Sequence, residues 1–249
     1  MNRKLILGSW GILGLIGLGS FGNCYHREIP VKELIPVVDN EINLERDAQM
    51  LNGKDYDVTA KDLARITRVM YFEGTGDRQI NSVDDLKLSY TAIASVIRNR
   101  EAFDRLNRTH KFTDDGLVGV VNRNIINKKG KKIYQFSCIP DNTEYFEDSN
   151  FENNALVTGS MGVQETETAY TTLIDVLTGE VEDPTNGALF YKTKEVSFRK
   201  KNPIQWHGQV AFYLGEDDCL IDHSVDRFSH KYYGIRDCSY VDYKNIPGD

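Results

Sequence analysis

The N-terminal stretch divides this chain into an apolar leader and a remainder that must fold without it. The basic residues Arg3 and Lys4 precede a run of eighteen residues, 5–22, that carries no charge. A basic start followed by an apolar run is typical of a secretory signal, and the small residues Ser20 and Gly22 suit cleavage after Gly22. At 1.5 Å per residue the run also nearly crosses a bilayer core, as an uncleaved anchor would. We therefore expect export to the cell envelope or the medium, with membrane contact through residues 5–22 only.

The charge balance excludes one large class of function. The chain has 30 basic and 37 acidic residues among 249, a net charge of −7. A nucleic-acid-binding protein needs a broad basic face to neutralise phosphates, which this composition does not favour. The 40% hydrophobic content is sufficient for an ordinary core. We expect one globular domain with no nucleic-acid partner, no metal and no cofactor.

Composition also suggests where that domain begins. Residues 23–57 are polar and mixed, include Pro30 and Pro36, and show no clean hydrophobic period. We interpret this stretch as a linker between the leader and a domain that spans residues 58–249.

Periodic apolar residues predict helices first and short strands later. Thr59 with Asp62, and Ser82 with Asp85, resemble capping boxes at two helix starts. The first helix should end at Gly74 and Gly76, and the second at residues 98–100. Further helices are predicted at 117–124 and 166–177, and strands at 188–192 and 209–214. Helices and strands segregated in this way indicate an α+β fold, mostly helical with short strands in the C-terminal part.

Glu73 stands out because of its place on the first helix. It follows Met70 by three residues, on the stripe that also contains Leu63 and Ile66. Desolvation against apolar neighbours and the negative end of the helix dipole both disfavour an ionised carboxylate there. A carboxyl group that stays protonated near neutral pH suits a general acid in glycosidic cleavage. The glycines that follow, Gly74 and Gly76, would let a substrate chain approach the backbone.

Four segments, in order, carry a resemblance to a known family. They are ARITRVMYFEG at 64–74, AIASVIRNR at 92–100, QFS at 135–137 and DPTNGALFY at 183–191. Together they resemble the SleB/CwlJ-type cell wall hydrolase domain, the catalytic unit of spore cortex-lytic enzymes, over about residues 60–235. The resemblance implies a small lysozyme-like, lytic transglycosylase-like domain that acts on the glycan strands of peptidoglycan. It implies that Glu73 is the catalytic acid. The expected function is degradation of cell wall or spore cortex, or phage-type lysis.

A single glutamate favours lytic transglycosylation over hydrolysis. Hydrolysis generally requires a second carboxylate, which activates water or acts as the nucleophile. In a transglycosylase the C6 hydroxyl of the sugar attacks instead, so that one group can first donate and then accept a proton. Asp77, four residues after Glu73, is the candidate for a second carboxylate if hydrolysis is the reaction.

The remaining motif residues are better suited to binding than to chemistry. Amide and aromatic side chains can line a glycan groove and stack on sugar rings. The predicted substrate-binding residues are Gln135, Phe136, Ser137, Asn186, Gly187, Tyr191, Trp206 and His230.

Cysteine and histidine residues leave two alternatives open. In an exported protein Cys24, Cys138, Cys219 and Cys238 can form disulfides, in a pairing that the sequence does not determine. Zinc bound by Cys219, His223, His230 and Cys238 would instead indicate a metal-dependent cell wall amidase. A second alternative is a domain that binds cell wall glycans without cutting them.

Overall fold

The structure, a computed structural model, describes residues 42–75, 82–108, 110, 112–113, 115–126, 130, 132–136, 138–141, 143–147, 155–193, 220–222 and 230–235. These form six helices: α1 (Leu44–Asn52), α2 (Ala60–Thr75), α3 (Val83–Asn107), α4 (Gly116–Asn122), α5 (Cys138–Asp141) and α6 (Val163–Thr178). The strands are β1 (Asn124–Ile126), β2 (Lys132–Tyr134), β3 (Phe190–Thr193), β4 (Leu220–Asp222) and β5 (His230–Ile235), and a 3-10 turn covers Thr143–Phe146. The mostly helical content with few short strands is compatible with the expected fold class.

The capping box predicted for α2 is confirmed, and α3 begins at the predicted Ser82 cap. At the start of α2 the side chains of Thr59 and Asp62 exchange hydrogen bonds with each other's backbone amides, over 2.9 and 3.2 Å. At the start of α3 the Ser82 hydroxyl accepts from the amide of Asp85 over 3.0 Å. Each cap satisfies amide groups that a helix terminus leaves without an intrahelical partner.

Helix α3 is longer than the sequence predicted. It continues for seven residues past Arg100 to Asn107, and ends where Arg108 adopts a left-handed conformation at φ 52°. A charged residue in this last part faces the protein interior. Asp104 is buried and accepts hydrogen bonds from the backbone amides of Phe112 and Thr113 over 2.6 and 2.8 Å. Because charged residues face inward here, the hydrophobic pattern did not reveal the helix end.

The linker predicted for residues 23–57 is wrong in its second half. Residues 44–52 form α1, in which Asp47, Ala48 and Leu51 are buried. Asp47 accepts a hydrogen bond of 2.6 Å from the hydroxyl of Tyr170 on α6. The folded part therefore begins before residue 58, and residues 1–41 lie outside the described ranges.

The helical core consists of three packed helices, two of which carry Glu73 and Arg100. Helices α2, α3 and α6 pack against one another, with Ile66, Ile93 and Leu173 fully buried between them. Helix α6, predicted at 166–177, ends at Thr178 and is followed by Gly179 in a left-handed conformation with φ 83°. In the described ranges, no helix is long and apolar enough to cross a membrane.

Two small antiparallel sheets flank the helices. Strands β1 and β2 pair with each other, with Ile125 opposite Ile133. The other sheet has the order β3-β5-β4, and Tyr191 on β3 lies opposite Tyr232 on β5. The strand predicted at 188–192 is observed at 190–193, whereas the one predicted at 209–214 lies outside the described residues.

Candidate active site

Glu73 lies in the last turn of α2 and points into the protein. Its side chain is buried, with the residue only 8% exposed, and its neighbours Tyr71 and Phe72 are buried as well. The apolar stripe of α2 faces the core, and Glu73 extends that stripe to the end of the helix. The inward direction that the helical spacing predicted is therefore observed.

Both carboxyl oxygens of Glu73 accept a hydrogen bond from the protein. The backbone amide of Cys138, at the start of α5, donates to Oε1 over 3.1 Å. The hydroxyl of Tyr191, on β3, donates to Oε2 over 2.9 Å. The two donors come from segments far apart in sequence, and together they fix the orientation of the carboxyl plane.

Burial raises the pKa of Glu73 above its ordinary value. Hydrogen bonds from Cys138 and Tyr191 and the positive charge of Arg100 act in the opposite direction, because each stabilises the ionised form. Burial prevails, so the group holds its proton to a higher pH than an exposed glutamate does. A carboxyl with these properties can serve as a general acid.

A buried arginine supports the residues around Glu73. Arg100, on α3, donates from Nε to the carbonyl of Leu189 over 2.7 Å and from a terminal nitrogen to Oε1 of Gln135 over 3.0 Å. Burial lowers the pKa of Arg100 to about 10, although nearby Tyr191 and Glu73 favour its charged form. Three aromatic rings lie 5.4–5.9 Å from its guanidinium carbon, those of Phe112, Phe136 and Phe190.

The segment before β3 is a tight turn organised by Asp183. One carboxylate oxygen accepts from the amide and hydroxyl of Thr185, over 2.7 and 2.6 Å, and the other from the amide of Gly187 over 2.9 Å. The side chain of Asn99 donates to Asp183 over 2.8 Å and to the carbonyl of Ala188 over 3.2 Å. Burial alone would raise the pKa of Asp183, but these hydrogen bonds outweigh it and hold the pKa below its usual range.

The two residues predicted to bind substrate in this turn have a conformational role in it. Asn186 and Gly187 both have positive φ, 50° and 82°, and both are exposed. Asparagine and glycine tolerate this left-handed region better than other residues. The turn directs the chain from Asp183 into β3. Asn186 and Gly187 lie at its exposed tip, and their role in glycan binding stays a prediction.

Tyr191 differs from its predicted role as a stacking platform. It is only 6% exposed, and its ring contacts those of His230, Tyr232 and Phe136 at centroid distances of 5.2, 5.8 and 6.2 Å. Little of the ring remains for a sugar, whereas the hydroxyl reaches Glu73. His230 is buried beside this ring, and its predicted role in glycan binding stays a prediction.

Other predicted site residues fall only partly within the described ranges. Gln135 is half-buried and held by Arg100, and Phe136 is fully buried. Ser137, Trp206 and Asp77 lie outside the described residues, as do the proposed zinc ligands Cys219, His223 and Cys238. Within the described ranges, no group of three or more His, Cys, Asp and Glu residues is arranged to hold a metal.

Gly74 serves helix packing instead of substrate approach. A Cβ atom at this position would lie 2.6 Å from Cδ1 of Tyr90 and would clash with the ring. The absent side chain therefore lets α3 pack closely against the end of α2, next to Glu73. This corrects the sequence-based interpretation of Gly74, while Gly76 lies outside the described residues.

Comparison with known proteins identifies the family. The family model described as Cell Wall Hydrolase matches residues 87–213, more than half of the chain. The chain belongs to the cell wall hydrolase family. No curated protein and no solved structure shows significant similarity to it. The family match confirms the resemblance found in the sequence and makes this protein a hydrolase that acts on peptidoglycan.

The matched span of this cell wall hydrolase covers the partners of Glu73 but not Glu73 itself. It begins at residue 87 and contains Arg100, Cys138, Asp183 and Tyr191. Glu73 joins that span through its hydrogen bonds with Cys138 and Tyr191. The catalytic role of Glu73 stays a prediction, now with a defined environment.

Sequence reasoning missed several residues that shape the site. Arg100 and Asn99 belong to the Asn-Arg pair of the second motif, and Asp183 opens the fourth motif, yet none was selected as a site residue. Their membership of those motifs was a signal. The backbone amide of Cys138 gave no signal, because its use depends on how the chain folds.

Proposed function

We propose that this cell wall hydrolase cleaves the glycan strands of peptidoglycan by lytic transglycosylation, with Glu73 as its single acid and base. The observation that carries the proposal is a buried carboxyl whose two oxygens are held by Cys138 and Tyr191. Two-carboxylate hydrolysis uses a second carboxylate that lies about 5–9.5 Å from the first, across the scissile bond. Among the described residues, the groups that act on the pKa of Glu73 are Cys138, Tyr191 and Arg100, and no second carboxylate is among them.

The proposed reaction uses the Glu73 carboxyl group twice, first as an acid and then as a base. Protonated Glu73 donates its proton to the glycosidic oxygen as the bond from that oxygen to the anomeric carbon breaks. The C6 hydroxyl oxygen of the same sugar then bonds to the anomeric carbon, and its proton returns to the Glu73 carboxylate. The product carries a 1,6-anhydro ring, no water is consumed, and the acid is regenerated. An intramolecular nucleophile is favoured because it loses little translational entropy.

The environment of Glu73 suits both halves of this cycle. Burial raises the pKa of the carboxyl, which favours the protonated form that is needed before bond cleavage. Once ionised, the carboxylate is stabilised by the amide of Cys138, the hydroxyl of Tyr191 and the charge of Arg100. The tyrosine hydroxyl can also accept a hydrogen bond, so it can partner Oε2 when the carboxyl is protonated.

The proposal includes a lysozyme-like domain and an exported protein. A mostly helical unit with short strands and a glutamate at a helix end supports the fold assignment. The uncharged run of residues 5–22 after two basic residues supports export, because peptidoglycan lies outside the cytoplasm. Mass measurement of the protein recovered from membrane and medium tests this part. An untrimmed chain confined to the cytosol would contradict it.

Mass spectrometry of the digestion products tests the reaction itself. Peptidoglycan treated with the enzyme should yield muropeptides with 1,6-anhydro-muramic ends, and the Glu73→Gln variant should yield none.

A further inference from the structure

Arg100 contacts two segments that meet at the candidate acid. Its Nε binds the carbonyl of Leu189, and one terminal nitrogen binds the side chain of Gln135. The amide nitrogen of Gln135 in turn donates to the carbonyl of Phe112 over 3.3 Å. Because Arg100 is buried, these contacts are shielded from water and hold both segments firmly.

Each of these segments supplies one of the two donors to Glu73. Leu189 precedes Tyr191 by two residues, and Tyr191 holds Oε2. Gln135 precedes Cys138 by three residues, and the amide of Cys138 holds Oε1. One guanidinium group therefore spaces the two segments whose donors fix the carboxyl of Glu73.

The planar fork of arginine is needed for this arrangement. Nε and a terminal nitrogen point in fixed directions, so they set the distance between Leu189 and Gln135. A lysine at this position would keep the positive charge but would present a single nitrogen in place of the fork.

We propose that Arg100 is a positioning residue that sets the geometry and the acidity of Glu73 through Tyr191 and Cys138. This inference rests on the proposed function, because it gives Arg100 a role only if Glu73 is the acid. Among the described residues, the groups that act on Glu73 are Arg100 from α3, Tyr191 from β3 and Cys138 from α5, and the ring of His230 on β5 contacts that of Tyr191.

The test compares Arg100→Lys and Arg100→Met with the wild type in the full-length chain, purified in mild detergent. The substrate is soluble glycan chains prepared from peptidoglycan, and kcat and KM are measured across pH. Arg100→Lys should lower kcat about 10- to 100-fold, since a small misplacement of reacting groups has effects of this size. KM should change by less than about twofold, because Arg100 is buried and acts in this proposal through Tyr191 and Cys138.

The pH profile separates positioning from general support of the fold. Loss of the charge and of correctly placed donors disfavours ionised Glu73, so the alkaline limb of kcat should move to higher pH. The shift should be about 0.5 to 1 unit in Arg100→Met and smaller in Arg100→Lys. Arg105→Lys, an exposed substitution on the same helix, should match the wild type.

Gln135→Met provides a second test if the Arg100 variants fail to fold. It removes one hydrogen bond of the Arg100 guanidinium and leaves Arg100 in place. It should lower kcat and move the alkaline limb of kcat to higher pH, by a smaller amount than Arg100→Met. A wild-type profile, or a uniform loss of kcat without a shift, would overturn the inference. If the Arg100 and Gln135 variants show no shift of the alkaline limb while Glu73→Gln is inactive, the positioning role of Arg100 fails and the proposed function is retained. If Glu73→Gln is active, both proposals fail.

Discussion

The hydroxyl of Tyr191 donates a 2.9 Å hydrogen bond to Oε2 of Glu73, although the two residues lie 118 positions apart in the chain. Glu73 ends the stripe of a helix, whereas Tyr191 lies on a strand that begins after the Asp183 turn. The bond connects the helical core to the small sheet at the residue that we propose performs the chemistry. A buried acid held in this way is oriented before substrate arrives.

Replacing Tyr191 with phenylalanine should shift the pH dependence of the reaction. The variant loses a donor that stabilises ionised Glu73, so the pKa of Glu73 rises further above its usual range. A general acid must be protonated, so the alkaline limb of kcat should move to higher pH. A hydrogen bond to a charged group is worth enough for a shift of about one unit. The matched control is Tyr232→Phe, a neighbouring ring in the same sheet; an equal shift there would contradict the assignment.

The buried carboxyl of Glu73 should make stability depend on pH in a defined direction. Its pKa is raised on folding, so its contribution is fully present below the unfolded value near 4.5 and is lost as pH rises through the folded value. The Glu73→Gln variant, whose amide can accept from Cys138 and donate to Tyr191, should lack this loss. Its unfolding free energy should lie within about 1 kcal/mol of the wild-type value at acidic pH. As pH rises, the unfolding free energy of the variant should increase relative to that of the wild type. Parallel denaturation curves across pH would refute the raised pKa.

Asp183→Asn should loosen the turn that leads into β3. Its carboxylate accepts hydrogen bonds from Thr185, Asn99 and Gly187. In asparagine one of the two oxygens is replaced by an NH₂ group, which would face a donor instead of accepting from it. We expect a loss of about 1–3 kcal/mol in unfolding free energy, and a lower kcat because Tyr191 follows the turn. Urea denaturation measures the first and glycan cleavage the second. Unchanged stability would mean that the turn does not depend on this carboxylate.

Gly74→Ala should destabilise the junction between α2 and α3. The added methyl group would clash with the ring of Tyr90, and overpacking in a tight core typically costs about 1–3 kcal/mol. Gly53→Ala is the matched control, since Gly53 has φ −67° and a Cβ atom there would come no closer than 3.3 Å to its nearest neighbour, the carbonyl oxygen of Met50. Thermal unfolding of both variants decides the point: equal stabilities would show that close packing at Gly74 is unimportant.

Local sequence signals were sufficient for much of the helical part of the fold. The caps of α2 and α3 depend on residues three positions apart, and the glycine that ends α6 acts on its own helix. Two features needed tertiary information. The end of α3 buries Asp104 against amides of a following loop, and α1 is fixed in part by the hydrogen bond between Asp47 and Tyr170. Polar residues that face inward weaken the periodic pattern on which such predictions rely.

The candidate site also contains residues that local sequence signals indicate and residues that only tertiary contacts reveal. Helical spacing alone placed Glu73 on the inner face at a helix end, and the structure agrees. The role of Tyr191 could not be derived in this way, because it depends on a contact with a residue 118 positions away. For the same reason Arg100 was missed: its partners Leu189 and Gln135 lie 89 and 35 positions away.

The most direct test of the central claim is the mass of the muropeptides released from purified peptidoglycan. The full-length enzyme should release fragments with 1,6-anhydro-muramic ends, each lighter by one water than the hydrolytic product. Glu73→Gln, at equal concentration and with its fold verified by thermal unfolding, should release none, since loss of general acid catalysis costs about 10²–10⁴-fold in rate. Exclusively reducing ends would contradict transglycosylation and would direct attention to Asp77 as a second carboxylate. Wild-type cleavage by Glu73→Gln would contradict the role of Glu73 itself.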